Sequence, residues 1–143
     1  MMHKKVLLAV DSRENSVGVA KKGFELAAQL QAEVALVFVA GESKNADAGI
    51  MAEDILMALK KEAENTLEQL IRVNNQPKET LKFIPEGLPD EEILKTADDW
   101  GADIIVMGMH GKNGFILWAM GSTTQHIILH SKIPVIVVPA QEQ

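Results

Sequence analysis

Three glycines and a serine in the C-terminal third have the spacing of an anion cradle. Gly108 and Gly111 are three apart, directly after an apolar run, and Gly121-Ser122 stands ten residues beyond Gly111 where a helical pattern begins. Glycine lets backbone pass close to a ligand and accepts positive φ. Ser122 is placed to cap the helix, whose first amides form an anion site worth about half a positive charge. Taken singly, each glycine reads better as a turn residue and Ser122 as a plain cap. Glycines at both ends of one loop that leads to a helix start describe a cradle for a chain of phosphates.

Other candidates are weaker. Inside the loop, His110 could touch a phosphate or fill a turn, and Lys112 could pair with a phosphate or point into solvent. A Walker loop fails on spacing, because Asn113 follows Gly111-Lys112 and Val106 occupies the place of the first glycine. A dinucleotide fingerprint fails too, because the turn after the first strand is Asp11-Ser12-Arg13, without glycine. His126 and His130 are four apart, but they lack a third ligand and Ile127 stands where a zincin has glutamate, so they read as surface histidines. Asp98-Asp99 reads as a solvated helix end, and Met51, Met57, Met107, Met109 and Met120 as packing. The chain has no cysteine, which excludes disulfides, thiolate metal sites and cysteine nucleophiles.

The elements that must position the loop follow from hydrophobic period. Residues 6–10 and 34–39 are continuous apolar runs, as expected of central strands covered on both faces. Residues 79–85 alternate and carry Pro85, which suggests a strand nearer the sheet edge. Residues 103–107 form another central run, and 134–138 the last. Helical spacing links Ala20, Phe24, Ala27, Ala28 and Leu30 or Gln31, starting from Val17, and later Ile55, Leu59, Ala63, Thr66, Leu67 and Leu70. A third helix starts at Pro89 with acids in its first turn and runs through Ile93, Leu94 and Ala97 to Trp100-Gly101. Ser122 opens the fourth, which reaches about Ser131. Residues 41–49 are small and polar and read as a loop.

Strands alternating with helices demand a parallel sheet covered on both faces, with right-handed crossovers. The expected fold is a doubly wound, five-stranded parallel α/β sheet of order 3-2-1-4-5, in one domain over residues 1–143. Ligands of such sheets sit beyond the carboxyl ends of the strands where the order reverses. The loops after the first and fourth strands, Asp11 in one and Gly108 to Gly111 in the other, should face each other there.

Length and composition agree. The chain has 143 residues, 47% of them hydrophobic and 24% charged, with a net charge of −6. A domain of this size buries roughly 70% of its unfolded surface and needs no staples. Its acidity argues against nucleic acid or an anionic membrane as a partner, but not against a small anion held by loop amides. Five apolar residues ended by Asp11 are too few for a signal core or a span, and the cytoplasm is the expected compartment.

Gly108-x2-Gly111-x9-Gly121-Ser122, following Asp103-Ile-Ile-Val-Met and preceding Pro134-Val-Ile-Val-Val, resembles the universal stress protein family. The likeness extends to Asp11 after the first strand, Gly87-x-Pro89 and Trp100-Gly101-Ala102-Asp103. In that family the glycine-serine motif marks members that bind ATP. The resemblance implies that Asp11 meets the ribose or adenine, that Ala9 and Val10 line the base pocket, and that the backbone of Val39 reads the adenine edge. It implies ribose and phosphate contacts at Met107, Gly108 and Gly111, and phosphate contacts at Gly121, Ser122, Thr123 and Thr124. Val10 departs from the pattern, since many members have a hydroxyl residue there.

The expected function is therefore that of an adenine-nucleotide-binding regulatory protein of the stress response, taking ATP, ADP or AMP with Mg²⁺ or Mn²⁺ on the phosphates. The alternative is a slow ATPase or nucleotide-transfer enzyme at the same site. Against it stand the lack of a positioned general base, of an arginine candidate near the loop and of a second carboxylate beside Asp11. A homodimer through the C-terminal strand is also expected, because an apolar last strand is an unprotected edge.

Overall fold

The computed structural model describes residues 4–11, 15–41, 50–109 and 121–139. Five strands and four helices alternate along them: β1 (Lys5–Ala9), α1 (Asn15–Leu30), β2 (Glu33–Val37), α2 (Ile50–Val73), β3 (Leu81–Phe83), α3 (Pro89–Trp100), β4 (Ile104–Met109), α4 (Ser122–His130) and β5 (Val135–Pro139). All pairings are parallel and the order is β3-β2-β1-β4-β5, as expected.

The period of two within β1 splits the core into layers. Val6, Leu8 and Val10 pack with Val19, Phe24 and Ala27 of α1 and Leu67, Leu70 and Ile71 of α2. Leu7 and Ala9 face the other way, with Ile93 and Ala97 of α3 and Ile127 of α4. A strand apolar at every position is what a sheet covered on both faces requires. Gly23 brings α1 close to β1, since a methyl group there would run into the buried side chain of Leu8.

Two helices depart from expectation. Ala63, Leu67 and Leu70 are buried, but Ile55 is 52% and Leu59 37% exposed, because the first turns of α2 stand clear of the layer that covers its second half. In α1, Ala28 and Leu30 are exposed, and Gln31 ends the helix with φ of 54°. The third helix starts as read, with Pro89 in its first turn, and ends at Gly101 in the left-handed region with φ of 81°.

Candidate functional site

The sheet order reverses between β1 and β4, which pair directly, with Ala9 opposite Met107. β1 leads to α1 on one face and β4 to α4 on the other. The two chains therefore diverge at their carboxyl ends and leave a crevice. Ala9, Val10, Asp11, Met107 and Gly108 all sit at this point. His110, Gly111 and Lys112 lie outside the described residues.

The crevice is built by specific hydrogen bonds. Val10 N–H donates to the Val37 carbonyl at 3.0 Å, Phe38 N–H to Phe83 at 2.9 Å and Ala40 N–H to Pro85 at 2.8 Å. Pairing thus continues past the end of β2 on its β3 side. Strand alternation turns the N–H and C=O of Val39 the opposite way, toward the space beyond the end of β1. The residue whose backbone was expected to read a base edge so presents a donor and an acceptor there.

Side chains at the end of β1 divide. Ala9 belongs to the α3–α4 layer and Val10 to the α1–α2 layer, so their side chains point to opposite faces of the sheet. Asp11, half-buried, follows them, and its N–H donates to Ser16 Oγ at 2.9 Å. The Ser16 hydroxyl in turn donates to Asp11 Oδ1 at 3.0 Å.

Gly108 lies within β4, opposite Val138, and not in the loop where its spacing suggested it. Pairing with β5 extends β4 to Met109, two residues beyond the expected end. At the start of α4, Gly121 and not Ser122 is the N-cap. Its φ of −63° and ψ of 155° are extended, and no side chain caps the helix. Ser122 is the first helical residue, so its hydroxyl cannot take the capping role expected of it. Gln125 N–H bonds to the Gly121 carbonyl at 3.0 Å, which leaves the amides of Ser122, Thr123 and Thr124 as the ones the helix itself cannot satisfy. The Thr124 side chain is 2% exposed and its hydroxyl donates to the Gly108 carbonyl at 3.0 Å. That bond ties the amide end of α4 to the end of β4. It also commits the Thr124 hydroxyl proton, so this residue could serve a phosphate through its amide.

Two features were not legible beforehand. Ser16 carries no motif, although its place five residues after Asp11 was the available signal. His126 pairs with Asp90 from the first turn of α3, so it clasps two helices and is not a plain surface histidine. His130 stacks edge-on against it at 4.1 Å. A separate cleft of about 300 Å³, lined by Leu94, Asp98, His130 and Lys132 among others, opens at the amino ends of β4 and β5, at the far end of the sheet from the crevice. No helix among the described residues is long and apolar enough to cross a membrane.

Known proteins share this arrangement. The universal stress protein family model matches residues 2–139. Universal stress protein MJ0577 of Methanocaldococcus jannaschii is 36% identical over 104 residues, which span 72% of this chain and 63% of that relative. MJ0531 of the same organism is 30% identical over 142 residues, 96% of this chain and 82% of that protein. The solved structure of MJ0577 superposes over the whole of both chains with a TM-score of 0.79 and 31% identity. Two more distant structures, at 16% and 19% identity with TM-scores of 0.68 and 0.62, share the fold: a universal stress protein in complex with cAMP and one from Archaeoglobus fulgidus in complex with dAMP. With a family model over nearly its full length and relatives at this identity, the chain belongs to the universal stress protein family.

Proposed function

We propose that this chain is a regulatory protein that binds an adenine nucleotide in the crevice between β1 and β4. The observation that carries the reading is the start of α4, where three amides without helical partners are held to β4 by Thr124 next to Gly108. Such an end favours negative charge and hydrogen-bonds phosphate oxygens. The backbone of Val39 and the carboxylate of Asp11 lie on the other side, where a base and a ribose would reach. That two distant relatives of the same fold were solved with cAMP and dAMP supports a nucleotide as the class of ligand.

ATP, with Mg²⁺ or Mn²⁺ carried on its phosphates, is the proposed ligand, and ADP and AMP would use the same base and ribose contacts. Among the described residues no group of three or more histidine or acidic side chains is placed to hold a metal, so the nucleotide itself would supply most of the ligands. Gly111 and His110 complete the proposed phosphate contacts, with Gly121, Ser122 and Thr123.

A homodimer through β5 is proposed as well. β5 is an edge strand, and Ile136 on it is 38% exposed. Because the Pro134 carbonyl accepts from Ile105, alternation turns the N–H groups of Val135 and Val137 away from β4, toward a second copy.

Denaturing the purified protein and identifying the released compound by mass spectrometry tests the nucleotide reading. Recovery of near-stoichiometric ATP, ADP or AMP supports it. Titration of nucleotide-free protein without measurable heat for any of the three would overturn it. A parallel turnover assay separates a binding protein from a slow ATPase.

A further inference from the structure

We propose that Ser16 is a positioning residue for the nucleotide: it fixes the Asp11 carboxylate at the mouth of the crevice. The inference rests on the reading of Asp11 as a ligand to the ribose or base, and it extends that reading to a residue outside the glycine motif.

Ser16 is 5% exposed in the first turn of α1, although its side chain is small and polar. A serine at a helix start ordinarily accepts from an amide two or three residues ahead. This hydroxyl faces backwards. It accepts the Asp11 N–H at 2.9 Å and gives its proton to Asp11 Oδ1 at 3.0 Å, five residues upstream. A hydroxyl has one proton to give, and here a carboxylate takes it. The pair ties the residue after the end of β1 to the first turn of α1 and restrains both the backbone and the side chain of Asp11.

That restraint has a consequence for binding. A carboxylate accepts about four hydrogen bonds, so Asp11 can hold Ser16 and still receive a ligand hydroxyl or amine. Losing the Ser16 bond would loosen the Asp11 carboxylate, and the ligand would have to supply that part of its ordering on binding. The charge-assisted bond to Oδ1 is of the stronger kind, and α1, anchored through Val19, Ala20 and Phe24 in the core, supplies a rigid mount for it.

The test is ATP titration by calorimetry on the wild type, Ser16→Ala, Asp11→Ala and the double variant, with inorganic tripolyphosphate as a second probe. Ser16→Ala is expected to weaken ATP about tenfold and to leave tripolyphosphate, which has no sugar or base, unchanged. In the Asp11→Ala background it should cost nothing further. Equal losses for ATP and tripolyphosphate, or losses that add in the double variant, would show a general structural role and overturn the proposal. So would an unchanged ATP affinity for Ser16→Ala beside a weakened Asp11→Ala, which leaves the nucleotide reading standing. An Asp11→Ala variant that binds ATP like the wild type would remove the role of Asp11, and that of Ser16 with it.

Discussion

The Thr124 hydroxyl donates to the carbonyl of Gly108 at 3.0 Å across a separation of 16 residues, and both groups are buried. This bond sets where the amide end of α4 stands relative to the crevice. Replacing Thr124 by valine keeps the shape but leaves a buried carbonyl without its donor. The expected cost is about 1–3 kcal/mol of stability. Denaturant unfolding should show the lower midpoint, and ATP titration a weaker affinity that persists at temperatures where the variant is fully folded. A variant as stable as the wild type would mean that α4 is held by Ile127 and its apolar neighbours alone.

Asp11→Ala is expected to weaken ATP by about 1–3 kcal/mol, the usual loss when a charged hydrogen-bond partner is removed. The dissociation constant from calorimetry measures it. If the constant is unchanged, Asp11 is not a ligand contact and its bonds to Ser16 are structural.

Strand β5 offers a test of assembly that leaves the sheet intact. Val137→Pro removes an N–H that points away from β4, so the β4–β5 ladder should survive. Light scattering should find a dimer for the wild type and a monomer for Val137→Pro, with Ile136→Lys shifted the same way. A monomeric wild type at tens of micromolar would end the dimer proposal, and a dimer untouched by both substitutions would move its interface elsewhere.

The architecture was readable because buried strands announce themselves. Residues 6–10 and 104–107 are apolar at every position, as strands of a sheet covered on both faces are, and the alternation with helices then fixes parallel pairing. Glycine spacing pointed to a cradle but misread the roles of Gly108 and Ser122. Gly108 is a strand residue because β5 pairs beside it, and nothing local in residues 108–111 reports that partner. Ser122 lost the capping role because the helix begins one residue earlier than a Ser122 cap requires. The Ser16–Asp11 and His126–Asp90 contacts depend on turns and helix packing, and the second joins residues 36 apart. Side-chain partners at that separation follow from the fold and not from sequence spacing.

The phosphate cradle is tested most directly at Gly121. Its backbone is extended, with φ of −63° and ψ of 155°, a conformation that valine adopts without strain. Gly121→Val therefore adds bulk without backbone strain beside the first amides of α4, where a phosphate is proposed to approach. Calorimetric titration of ATP into the folded wild type and Gly121→Val proteins decides the matter. Saturable binding to the wild type that is lost in Gly121→Val is the expected result; equal affinity in the two would contradict the assignment of the cradle.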